Sequence, residues 1–186
     1  MERLHRILFA LSRGSVWLFG SGYLLIAVAT TADVVLRNVF GTGVPGVYEI
    51  SGYVFAVATT WGFSFVLFER AHVRIDVAYQ RLGTRLRAWL DLAGLLALLL
   101  FASVLAWRGW TTLDDTLLFG ARARTTLQTP LWIPQSVWLA GLVFFVLCIL
   151  FLALYVLLLL IRGEDRKVAQ VAGIPHVSRH PEDGAV

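Results

Sequence analysis

The sequence predicts an all-α membrane protein with four transmembrane helices, both termini on the cytoplasmic side, and an interfacial amphipathic helix between the second and third spans. Three observations predict it. Of 186 residues, 58% are apolar and 15% charged, with a mean hydropathy of +0.74, whereas a soluble domain holds about 45–50% apolar residues. The apolar residues gather in four runs, each reaching the ~20 residues that a helix needs to cross a ~30 Å hydrocarbon core. The cations fall in blocks between those runs. Twelve of the 16 arginines and lysines lie in the N-terminal arm, in the stretch from Glu69 to Arg87, and in the tail after Ile161. The positive-inside bias therefore places those three regions in the cytoplasm. The other four, Arg37, Arg108, Arg122 and Arg124, fall in the two remaining connections, on the outer side.

Taken in order, residues 1–14 form a basic cytoplasmic arm, and the first span covers about 15–36 (SVWLFGSGYLLIAVATTADVVL). The opening MERLHR and the triplet Ala27-Val28-Ala29 also resemble a secretory signal. The apolar stretch from Gly14 to Ala32 exceeds the roughly 7–15 residues of a signal core, which favours a span. The second span covers about 48–68 and the third about 88–110. The fourth covers about 133–161, and its 25 residues from Val137 onward carry no charge. At 1.5 Å per residue that stretch reaches roughly 37 Å, so it should tilt or protrude. Trp89, Trp107, Trp110, Trp132 and Trp138 fall near span ends, where amphipathic rings prefer the interface. Residues 162–186 are polar, mixed in charge and proline-containing, and are expected to be a disordered cytoplasmic tail.

Between the second and third spans lies FERAHVRIDV, residues 68–77. Glu69 and His72 have the spacing of a di-iron ligand pair, but such a site needs a second pair and further inward carboxylates. The four histidines, His5, His72, His176 and His180, all lie outside the spans, which removes the axial ligands of a haem-carrying anchor. Val73, Ile75 and Val77 instead alternate with His72, Arg74 and Asp76, as suits an extended elbow at the membrane surface. Ala78, Leu82, Leu86, Trp89 and Leu90 then recur at helical spacing and predict the interfacial helix. Cys148 is the only cysteine and lies in an apolar run, so packing is its expected use. No cofactor, metal or nucleic-acid partner is implied.

A charge at the bilayer centre costs about 2.5–3.5 kcal/mol on insertion scales, so each ionisable residue near a span needs a partner, an end position or a function. Asp33 and Arg37 are one turn apart and can pair. The short FGTGVPGVY connection brings Glu49 towards Arg37, and a clasp between them is expected. Asp91 and Arg108 lie near opposite interfaces and can snorkel. No chain of titratable groups crosses the membrane, which argues against a self-contained proton pump or exchanger. Gly52, Ala56, Thr60 and Ser64 recur every four residues on the second span, giving a slowly drifting small, hydroxylated stripe along which another helix can approach closely, within this chain or from another. The fourth span is bulky all round, so most of its surface is expected to face lipid. In the outer connection, Trp110, Leu113, Leu117 and Ala121 extend the third helix beyond the interface. Pro130 and Pro134, flanking Leu131 and Trp132, then predict a rigid cap.

Four short stretches, in order, carry a family resemblance over nearly the whole chain. They are LRNVFG closing the first span, VYEISGY opening the second, the HVRIDV elbow, and TPLWIPQ before the fourth. Together they resemble the DctQ-like small membrane subunit of tripartite ATP-independent periplasmic (TRAP) transporters. The resemblance implies a division of labour. A periplasmic binding protein captures a carboxylate-type solute, a large membrane subunit moves it on an ion gradient, and the small subunit is a scaffold in the cytoplasmic membrane. It further implies that Arg37 and Glu49 form an outer rim available to partners, and that His72, Arg74 and Asp76 position the chain at the cytoplasmic elbow. Arg122 and Arg124 depart from the family pattern. A competing reading is an independent small transporter or channel acting as a homo-oligomer, which would carry solute without a partner. An enzyme is not expected, since no nucleophile, base and orienting group fall at a recognisable spacing.

Overall fold

The computed structural model of the chain describes residues 2–69, 83–163 and 168. Among the described residues four helices are found, α1 (Glu2–Phe40), α2 (Val47–Phe68), α3 (Thr84–Phe119) and α4 (Trp132–Ile161), and all four are long and apolar enough to cross a membrane. The elbow residues His72, Arg74 and Asp76 lie outside the described residues, as do the first residues of the expected interfacial helix, 78–82, and nearly all of the tail. From Thr84 onward, the stretch leading into the third span is already part of α3.

The helices stand in an open row. α1 packs on α2, α2 on α4, and α4 on α3, so the last helix to be made lies between the second and third. The connections α1–α2 and α3–α4 share one end of the row, hereafter the two-loop end. At about 1.5 Å per residue, the 39-residue α1 and 36-residue α3 far exceed the membrane core. The N-terminal arm is the start of α1: His5 meets Phe68 edge-on with ring centroids 5.3 Å apart, and Phe9 contacts both Phe65 and Phe68.

α4 is the hub, contrary to the expectation that most of it faces lipid. Leu142, Phe145, Cys148, Ile149, Leu152, Val156 and Leu159 recur at intervals of three and four and are buried. Leu147 and Leu154, on the other side, remain exposed. Hydropathy cannot separate these two faces, because lipid tails and packed side chains are equally apolar surroundings. Cys148 fills the core, fully buried.

α3 runs on to Phe119, as the spacing of Trp110, Leu113 and Leu117 predicts. Ala102, Gly109 and Thr116 are buried, whereas Trp110 and Leu117 are exposed. Small residues let α3 lie close to α4: a Cβ at Gly109 would come within 2.9 Å of the Trp138 ring. The bulky positions left outside suit lipid.

Candidate functional site

The two-loop end is an interlocked plate of both connections. It is anchored by Asp33, whose side chain is fully buried near the end of α1. A buried carboxylate is tolerated only when paired and hydrogen-bonded, and Asp33 has both kinds of partner. Arg37 Nη2 donates to Oδ2 at 2.9 Å, and the Val44 backbone N–H donates to Oδ1. The second bond folds the GTGVPG loop back over the helix end. Arg37 lies along this loop, where a Cβ at Gly43 would meet its Nε at 2.7 Å, and its guanidinium carbon is 5.7 Å from the centroid of the Tyr48 ring. Half of the Arg37 side chain, 54%, stays exposed.

The second connection docks on the first. Ala123 N–H donates to Thr129 O at 3.0 Å and Leu131 N–H to Ala121 O at 3.2 Å, so residues 121–131 form a short hairpin with an antiparallel bridge between Arg122 and Pro130. Its tip residue Leu127 covers Gly46, which starts α2 in the left-handed region (φ 86°). A side chain at Gly46 would collide with Leu127, so glycine is required there by conformation and by space. Glu49, in the first turn of α2, accepts hydrogen bonds from Tyr53 Oη at 2.9 Å and from Thr125 Oγ1 of the hairpin. Pro134, in the first turn of α4, lacks only an N–H that no helical carbonyl would have used. Arg122 and Arg124 alternate along the hairpin and are both exposed.

The expected clasp between Arg37 and Glu49 is not formed. Each residue pairs elsewhere: Arg37 with Asp33 one turn back, and Glu49 with Tyr53 one turn on and Thr125 across the plate. Partners within one helix need no ordering of the intervening loop, which favours the local pairs.

The stripe of small residues does not share one environment. At 3.6 residues per turn, a four-residue repeat drifts by about 40° per step, which carries it around α2. Gly52 is exposed towards α1, and Ala56 lines a small recess with Pro134 and Trp138. Thr60 and Ser64 are buried, and Thr60 meets Gly141, the only glycine of α4. There, Trp61 Nε1 donates to Val137 O at 3.1 Å. Gly141, Leu127 and Thr125 were not anticipated, although a lone glycine in a bulky span was a legible sign of close approach.

Among the described residues, no three histidine, cysteine or acidic side chains are grouped to hold a metal. What the plate offers is a stiff surface with exposed guanidiniums, suited to recognition. The four apolar helices define a multi-pass membrane protein. Residues 26–162 match the family described as tripartite ATP-independent periplasmic transporters, DctQ component. That match takes in well over half the chain, which therefore belongs to this family and is the small subunit of a TRAP transporter. No curated protein and no solved structure matches the chain.

Proposed function

We propose that the chain is a scaffold in a secondary-active, ion-gradient-driven uptake system. It stands beside the large membrane subunit and receives a periplasmic binding protein that carries a carboxylate-type solute. The observation that carries the scaffold role is the open row: among the described residues, no broad contact between α1 and α3 closes it. A row one helix thick has no interior through which a solute could pass, so a partner must supply the path. The arginine asymmetry supports an orientation with the two-loop end in the periplasm and both termini in the cytoplasm of a bacterial or archaeal cell.

In this reading Arg37, exposed and braced from below, is the rim residue that meets partners, with Arg122 and Arg124 on the same end. Glu49 acts indirectly by holding the hairpin. Ala56 is the member of the helix-packing stripe that a helix of another chain could reach, Gly52 opens towards α1, and Thr60 and Ser64 serve packing within this chain. The elbow at His72, Arg74 and Asp76 positions the chain against the opposite interface. Co-expression with the large subunit, followed by purification through a tag on this chain alone, tests the role. Stoichiometric recovery of the larger protein is expected. Solute flux through liposomes containing only this chain would overturn the scaffold reading in favour of an independent homo-oligomeric transporter.

A further inference from the structure

The aromatic seam between α1 and α2 stops partway up the bundle. Rising from the terminal end, Phe9 packs against Phe65, Phe19 against Trp61 (centroids 5.2 Å apart) and Tyr23 against Phe55 (5.7 Å). Beyond Tyr23 the walls become small and hydroxylated, with Ala27, Thr30 and Thr31 on α1 and Ser51 and Gly52 on α2. With nothing large to fill it, the seam opens into a groove of about 610 Å³, within the ~300–1,000 Å³ range of small-molecule sites. The hydroxyls ask for no polar ligand. Thr30 and Thr31 donate to the carbonyls of Ile26 and Ala27, and Ser51 to that of Tyr48, at 2.8–2.9 Å. The walls are in effect apolar.

The mouth is different. One turn past Val34, the last wall residue of α1, comes Arg37, and one turn before Ser51 comes Tyr48. The guanidinium, 5.7 Å from the Tyr48 centroid, bridges the two helices there. Only its Nη2 is committed to Asp33, and a guanidinium carries five N–H donors in a fork that matches phosphate.

We propose that this groove holds an acyl chain of a phospholipid whose phosphate is bound by Arg37. The dimensions favour a lipid over a partner helix. Tyr23 to Val34, the length of the groove's α1 wall, is 11 residues, about 17 Å of helix, close to the ~15 Å depth of one leaflet of a ~30 Å core. A spanning helix would need the seam to stay open past Tyr23 and Phe55, where it is filled. A cation at the interface above an apolar slot one leaflet deep has the layout of a phospholipid. Tails gain little from leaving other tails, so selectivity comes from shape and from the charge-assisted bond at the mouth. The site requires only that the chain span a membrane and is independent of the scaffold role.

The test is native mass spectrometry of the full-length chain in mild detergent with added palmitoyl-oleoyl phosphatidylglycerol. One lipid adduct that outlasts detergent removal is expected. Gly52→Phe fills the groove from a position whose Cβ meets nothing, and it should abolish the adduct while the helical circular dichroism is retained. Ala27→Phe does the same from the opposite wall and serves if the first variant misfolds. Arg37→Gln should lose the phospholipid but keep diacylglycerol with the same chains. Inorganic phosphate should not displace the lipid. Absence of the adduct from the wild type, or its persistence in a folded groove-filled variant, would overturn the proposal. So would a photo-reactive residue at position 52 that labels protein instead of lipid in native membranes.

Discussion

Replacing Gly141 with alanine tests a close contact between α2 and α4. A Cβ at that position would lie 2.6 Å from Thr60 Oγ1, 2.8 Å from Trp61 Cδ1 and 3.0 Å from Trp61 Nε1. Neither neighbour can retreat freely. Thr60 Oγ1 donates to the carbonyls of Ala56 and Val57, and Trp61 is held by Val137 O and by stacking on Phe144 at 5.6 Å. Overpacking of this kind costs about 1–3 kcal/mol. Losing an interhelical hydrogen bond in a membrane costs ~0.6 kcal/mol on average and ~1.7 at most. Alanine returns about 1 kcal/mol through its better helix propensity. The net expectation is a loss of about 1–4 kcal/mol. Unfolding of the detergent-solubilised chain by increasing dodecyl sulfate, followed by near-ultraviolet circular dichroism, should show an earlier midpoint. Gly52→Ala, whose new methyl meets open space, should be neutral or slightly stabilising. If Gly141→Ala unfolds at the wild-type midpoint, the argument that this glycine sets the α2–α4 distance is wrong.

Four further outcomes are expected. Asp33→Val leaves Arg37 and the Val44 N–H without their buried acceptor; it should cost about 1–3 kcal/mol and speed hydrogen exchange at Val44. Thr125→Val releases the hairpin from Glu49, so the amides of Ala123 and Gln128 should exchange faster while the helices keep their protection; unchanged hairpin exchange would show that the contact contributes nothing. Arg37→Gln keeps a donor for Asp33, so the chain should fold, but uptake by the complete transporter should fall when binding protein is limiting; unaltered uptake would argue against docking at this rim. In spheroplasts, Arg124→Cys should react with an impermeant maleimide and Arg3→Cys only after permeabilisation, with the buried Cys148 silent in both; the reverse pattern would invert the orientation.

The four spanning helices were legible because crossing a membrane demands long uncharged runs, and nothing subtle competes with that requirement. The ion pair between Asp33 and Arg37 was legible from spacing alone. Relations across the chain were not. Glu49 was expected to meet Arg37 because their loop is short, yet it binds Thr125, 76 residues away, a pairing that no local pattern encodes. The packing faces of α3 and α4 were equally hidden. A leucine pressed against lipid and one pressed against another helix look the same in sequence, and only the small residues Ala102, Gly109 and Gly141 mark where backbones approach. The stripe on α2 and its slow drift were legible, but which of its members meet α4 was not, because periodicity does not separate packing within one chain from packing between chains.

The position of α4 between α2 and α3 bears on how the protein is made. Trp61 finds its acceptor on Val137, 76 residues later in the chain, and at about 5–20 residues per second the ribosome needs several seconds to deliver it. During that interval the α1–α2 hairpin stands in the membrane with one flank bare, and α3 then emerges ahead of the helix it packs on. Biogenesis therefore has an incomplete stage in which a chaperone, an insertase or the waiting large subunit can engage the nascent chain before its own last helix arrives.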